Sequence, residues 1–172
     1  MILTGKEIIK NKENGDIIIE PFDIRNINPN SYNYTLGDYV KVYKNEVLDP
    51  KQKQEMEIIN IPDEGLVLEP NKLYLGYTLE CMGSKKYVPI ISGRSSTGRL
   101  GLFVHITADL IDIGSINHWT LQMHAVNRLR IYKGMLIGQV TFWTTKGEIT
   151  LYEGKYQGSV GPMESQIWKD FL

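Results

Sequence analysis

The sequence predicts a mainly β chain with short helices, a sandwich or closed barrel in outline. Three observations carry that expectation. Short segments rich in Ile, Val, Tyr and Thr recur along the 172 residues. Turn formers separate them, among them Asn28-Pro29-Asn30, Leu36-Gly37-Asp38, Pro62-Asp63-Glu64-Gly65 and Pro70-Asn71. Only two segments carry helix marks. Many short strands at such spacing argue for two packed sheets or a closed one. The length and the 42% hydrophobic share suit one domain, residues 1–172, with its own core.

Taken in order, the first element is a short helix. Thr4 and Glu7 form a T-x-x-E capping box, which satisfies free N–H groups at a helix start. Asn14-Gly15 ends it. Strands are expected at 16–20, 31–36, 39–43, 55–60 and 72–79, where β-branched and aromatic residues cluster. The pattern resumes at 88–92, 104–108, 119–126, 129–132, 135–144 and 149–152. Residues 95–101 form the second short helix. The segment 154–172 differs, with Gly154, Gly158, Gly161 and Pro162 among polar residues. It reads either as a frayed terminus or as a mobile lid that orders over a ligand.

Composition narrows the function classes. A net charge of −1 offers no basic excess for a nucleic-acid backbone. No apolar run approaches the ~20 residues that span a bilayer. The polar, acidic N-terminus does not read as a signal peptide, so a cytoplasmic protein is expected. Cys81 is the only cysteine, which excludes an intrachain disulfide. It also excludes the zinc-deaminase pattern, which needs H-x-E with P-C-x-x-C. His105, His118 and His124 have no metal-binding spacing.

Several residues invite a chemical reading beside a plainer one. Arg94-Ser95-Ser96 and Arg99 crowd a helix start, where anions are favoured. They form either a phosphate cradle or an ordinary surface helix. Asp112, in Ile111-Asp112-Ile113-Gly114, is either a turn aspartate or a carboxylate aimed at a sugar or a water. Strand alternation puts Thr120, Gln122 and His124 on one face, a solvated stripe or part of a site. The segment 134–139 reads as a turn feeding a core strand. Lys155-Tyr156-Gln157-Gly158 offers a phosphate clamp or a solvated tail.

Order and spacing say more than each motif alone. R-S-S-x-x-R-x-G-L is followed by V-H-x-T-A, I-D-x-G, T-L-x, G-M-x-I-G-Q and K-Y-Q-G. With the MILTGKEI opening, Asn30-Ser31, Thr35-Leu36-Gly37 and Ser165-Gln166-Ile167, this series resembles the dCTP deaminase family of the dUTPase-like superfamily. The resemblance spans nearly the whole chain and is densest from Gly93 to Gln139.

The resemblance implies a distorted jelly-roll or β-barrel assembled as a homotrimer, with active sites between subunits. It implies a substrate triphosphate, dCTP or dUTP, bound with Mg2+ held through the phosphates and no protein metal ligand. It also makes dTTP a candidate inhibitor. By position, Ser95 and Arg99 would contact phosphate and stabilise the reacting centre, with Arg94 and Ser96 in the same cradle. Ile106 and Ala108 would offer backbone groups near the pyrimidine and the attacking water. Asp112 would contact the deoxyribose. Tyr152, Lys155 and Tyr156 would belong to the closing segment, 154–172 being a mobile C-terminal lid.

The sequence departs from the family at its catalytic position. The family has glutamate in a T-L-E context, and this chain has Gln122. Ser115-Ile116-Asn117, Asn33 and Ser159 are softer departures. The leading expectation is a zinc-independent dCTP deaminase, a hydrolase of a cyclic amidine C–N bond, making dUTP and ammonia, with turnover impaired by Gln122. The alternatives are a bifunctional deaminase and dUTPase, or a dUTPase, releasing dUMP and pyrophosphate, and a nucleotide-binding homologue without catalysis.

Overall fold

A computed structural model describes all residues, Met1–Leu172. Helix α1 (Gly5–Glu13) turns Ile8 fully into the core and leaves Lys6 and Glu7 in solvent. Its start corrects the capping-box expectation. Thr4 occupies the cap position, but its side chain makes no capping bond. The Gly5 N–H instead donates to the Pro29 carbonyl at 2.8 Å. Glu7 points its carboxylate at the Asn11 amide, 3.5 Å away, rather than back at Thr4. A neighbouring loop thus satisfies the first free N–H of the helix, while the Thr4 side chain satisfies none.

Eleven strands follow: β1 (Ile17–Glu20), β2 (Tyr32–Thr35), β3 (Tyr39–Tyr43), β4 (Met56–Asn60), β5 (Leu66–Leu68), β6 (Leu73–Ser84), β7 (Val88–Gly93), β8 (Leu102–Phe103), β9 (Asn117–Ala125), β10 (Leu129–Ile131) and β11 (Leu136–Trp143). Helix α2 (Ser95–Arg99) lies between β7 and β8, and a 3-10 turn at Ile167–Phe171 closes the chain. The fold class is therefore mainly β, as the sequence predicts. Pairing is antiparallel throughout, in sheets of order β4-β3-β6-β9-β8, β2-β11-β7 and β10-β5, with β1 added along the far half of β6. The sheets stay open rather than closing into a barrel.

One core of 25 buried side chains runs between the two larger sheets, with Tyr32, Tyr34, Leu121, Met123, Ile137 and Phe142 fully enclosed. Each large apolar side chain contributes about 1.5–3 kcal/mol on burial. Gly138 is required by this packing. A Cβ there would collide with the Tyr34 ring, whose hydroxyl donates to the Ser92 carbonyl at 3.1 Å. No helix is long and apolar enough to cross a membrane.

Two expected strands are absent. Residues 104–108 alternate in polarity but carry no ladder after the two residues of β8. The backbone there leaves the sheet, and the loop is pinned to β7 further on, where Ile91 N–H donates to Asp109 and Ile111 N–H to Pro89. Residues 149–152 are irregular too, held by one bond from Tyr152 N–H to the Ile113 carbonyl. Conversely β5, which pairs with β10, was not expected from the sequence.

Candidate active site

Strand β9 builds one wall of a cavity. Its residues alternate in burial from Asn117 to Ala125, with Thr120 and Gln122 on the half-exposed face. Leu75 of β6 stands directly across from Gln122, and Lys41 of β3 directly across from Leu75. Directly opposed residues share a face, so Lys41, Leu75 and Gln122 form a row. The registers of β6 and β9 slip between Tyr77 and Cys81. Thr78 fills the break: its hydroxyl accepts from Trp119 N–H at 2.9 Å and donates to the Glu80 carbonyl at 2.8 Å.

The loop after β8 forms the second wall. Ile106, Thr107, Ala108, Leu110, Ile111 and Asp112 all border the cavity. The Ile106 N–H has no strand partner and donates to Gln122 Oε1 at 3.3 Å. The tail forms the third wall, with Tyr152, Tyr156, Ser159, Met163, Glu164 and Ser165. These walls enclose about 570 Å³, within the range of small-ligand sites.

The tail is tied down by named bonds. Asn117, buried at 3% exposure, accepts at Oδ1 from the N–H groups of Gly158 and Ser159, 2.5 and 3.1 Å away. Its Nδ2 donates to Ser115 Oγ at 2.9 Å. Thr120 Oγ1 accepts from Met163 N–H, and the Tyr43 hydroxyl from Ser165 N–H. The Tyr156 hydroxyl accepts from Gln166 N–H, and Gln157 Nε2 donates to the Gly114 carbonyl. Gly161, at φ +82°, lies so close to the Tyr39 hydroxyl that a Cβ would collide with it. The tail therefore packs against its own chain over the cavity.

Two ion pairs lie in or near the tail wall. Glu164 meets Lys41 at 3.4 Å, both about one-fifth exposed. Burial works to raise the Glu164 carboxyl, but its own backbone N–H and the Lys41 charge outweigh that and hold it below the ordinary range. Lys155 bonds Asp170 at 2.6 Å, and that bond raises its amine. On β6, burial raises the Tyr77 hydroxyl to about 12, helped by its bond to Asp38. Trp119 borders the cavity, and its indole N–H finds no acceptor in the chain.

A family profile described as dCTP deaminase-like matches residues 2–145. The chain belongs to the dCTP deaminase-like family. It is 53% identical over 172 residues to a Clostridium botulinum protein named "dCTP deaminase, dUMP-forming", covering 99% of each chain. A Clostridium beijerinckii protein of the same name is 50% identical over the same span. In structure the chain is similar to the 2'-deoxycytidine 5'-triphosphate deaminase of Agrobacterium tumefaciens, with a TM-score of 0.66 and 18% identity. That likeness, which concerns the fold, covers 84% of this chain and 48% of the other.

Against the expectations for a family member, Ile106, Ala108, Asp112, Gln122, Tyr152 and Tyr156 come together at one cavity. Arg94, Ser95, Ser96, Arg99 and Lys155 do not border it. Ser95, Ser96 and Arg99 stand exposed on α2, whose Thr97 is bonded to the Arg94 and Ile137 carbonyls. Arg94 reaches only the Leu136 carbonyl, at 3.4 Å. Helix α2 stops at Arg99, short of the expected 101. Sequence reasoning missed Asn117 as a tail anchor and marked it only within the softer departure Ser115-Ile116-Asn117.

Proposed function

We propose that the chain hydrolyses pyrimidine deoxynucleoside triphosphates, dUTP to dUMP and pyrophosphate, and dCTP to the same products with release of ammonia. The observation that carries this is the single cavity uniting Gln122, Asp112, Ile106, Ala108, Tyr152 and Tyr156. The names of the relatives at 50 and 53% identity support dUMP as product, in place of the dUTP given first among the expectations above. In pyrophosphate release a water oxygen bonds to the α-phosphorus and the bond to the bridging oxygen breaks. Asp112 is the carboxylate of the cavity wall suited to orient that water or the deoxyribose.

Arg94, Ser95, Ser96 and Arg99 are proposed to serve a neighbouring copy's cavity in a homotrimer. Their exposure on α2, beside exposed Leu100 and Phe103, supports this. No three His, Cys, Asp or Glu side chains gather where they could hold an ion. Magnesium is proposed to arrive with the triphosphate and offset its charge. A cytoplasmic setting fits the lone Cys81, which has no disulfide partner within the chain.

Gln122 alters the deamination step. Its amide cannot take a proton from water, and a missing general base costs about 10²–10⁴ in rate. Pyrophosphate release from dUTP is then the faster reaction. The experiment incubates the protein with Mg2+ and either dCTP or dUTP, and measures ammonia and pyrophosphate separately. Pyrophosphate from dUTP, with little ammonia from dCTP, is expected. Intact nucleotides in both vessels contradict the proposal, and binding without product selects the second reading, a nucleotide-binding homologue, which Gln122 also favours.

A further inference from the structure

We infer that Gln122 makes the cavity select a 4-oxo pyrimidine, the uracil ring of dUTP, over the 4-amino ring of dCTP. This rests on the proposal above that the base sits against Gln122. The orientation of the amide is fixed by its partner. A backbone N–H can only donate, so the oxygen of Gln122 faces Ile106 N, 3.3 Å away. The NH2 group is thereby turned away from Ile106. A carboxylate at this position would accept from Ile106 with one oxygen and from a ligand amino group with the other. The amide accepts on one side and donates on the other.

Several hydroxyls of the wall are also able to donate. Thr120 Oγ1 accepts from Met163 N–H. The Tyr152 hydroxyl accepts from Tyr156 N–H, and the Tyr156 hydroxyl from Gln166 N–H. Each of these hydroxyls accepts once from the tail and retains an O–H to give. Asn117 Oδ1 already holds two tail amides. The Glu164 carboxylate is tied to Lys41. The hydroxyls leave O–H donors free for a ligand, while the Asp112 carboxylate, assigned above to the water or the deoxyribose, is an acceptor of the same wall. Uracil presents two carbonyl acceptors and one N–H. Cytosine replaces the 4-carbonyl with an amino group and the ring N–H with an acceptor nitrogen, so at the 4-position the amino group would face the Gln122 NH2 donor to donor. A site that leaves such groups unpaired rejects the wrong ligand by an order of magnitude or more.

The test is calorimetry on the full chain with Mg2+ and the non-hydrolysable α,β-imido analogues of dUTP and dCTP, repeated with Gln122→Glu. The expected result is binding of the dUTP analogue about tenfold or more tighter than the dCTP analogue, with the ratio collapsing or reversing in Gln122→Glu. Equal binding, or tighter dCTP binding, by the unaltered chain overturns the inference while leaving the proposed function standing. An unchanged ratio in a folded Gln122→Glu protein overturns it too, because the preference would lie elsewhere. Binding of neither analogue overturns the proposed function and the inference with it.

Discussion

Asn117→Ala should loosen the tail without loosening the fold. Asn117 Oδ1 is the shared acceptor for Gly158 and Ser159, at 2.5 and 3.1 Å, on a side chain only 3% exposed. Truncation strands both amides against the β9 wall, whereas water satisfies them once the tail lifts. An unmet buried polar group costs about 1–3 kcal/mol, so the open tail gains roughly 5- to 150-fold in population. Backbone contacts soften the effect, because His118 N–H still donates to the Ser159 carbonyl at 3.3 Å. Amide hydrogen exchange reads the result directly. Exchange at Gly158, Ser159 and Met163 should quicken within that range, while Leu121 and Met123 on β9 keep their protection. Asn117→Asp, which retains the shared acceptor, should stay near the unaltered rates. Unchanged tail exchange in Asn117→Ala, or acceleration spread equally through the core, would refute the anchor.

Three further expectations concern the core, the buried carboxyl and the cradle. Leu121→Ala removes a fully buried side chain of β9 and should cost about 2–5 kcal/mol in denaturant unfolding. Burial raises the Glu80 carboxyl above its ordinary 4.5, against the opposing bonds from Thr35 N–H and hydroxyl. A raised folded-state value means the folded protein holds this proton more tightly. Its contribution is full below pH 4.5 and is lost as pH rises through the raised value. Thermal unfolding of Glu80→Gln against the unaltered chain should therefore show a difference that changes across that window and is flat above it. Arg99→Ala, on exposed α2, should leave stability within about 0.5 kcal/mol yet weaken triphosphate binding at least about tenfold, a loss of about 1.4 kcal/mol.

Much of the fold was legible because its signal is local. The alternation from Trp119 onward gave β9, and the β-branched residues before Pro21 gave β1. Three failures share a cause, which is that the deciding partner is distant in sequence. The run at 104–108 alternates like a strand, but the Gln122 side chain, 16 residues on, satisfies the Ile106 N–H. Thr4 looks like a cap, but the Pro29 carbonyl takes the Gly5 N–H. β5 has only three residues and exists by pairing with β10, more than 60 positions away. The site was legible in part. Motif order named Ile106, Ala108, Asp112, Gln122, Tyr152 and Tyr156, which the fold brings to one cavity. Nothing local announced that residues 158–165 would return to β9 and be held by Asn117 and Thr120.

The most direct measurement is a crystal structure of the protein with Mg2+ and the α,β-imido analogue of dUTP. The pyrimidine should lie between Gln122 and the 106–108 loop, with the Gln122 NH2 group on the 4-oxo oxygen. The triphosphate should rest on Arg94, Ser95, Ser96 and Arg99 of a neighbouring copy. A nucleotide bound away from this cavity, or a base that leaves Gln122 untouched, would contradict the assignment.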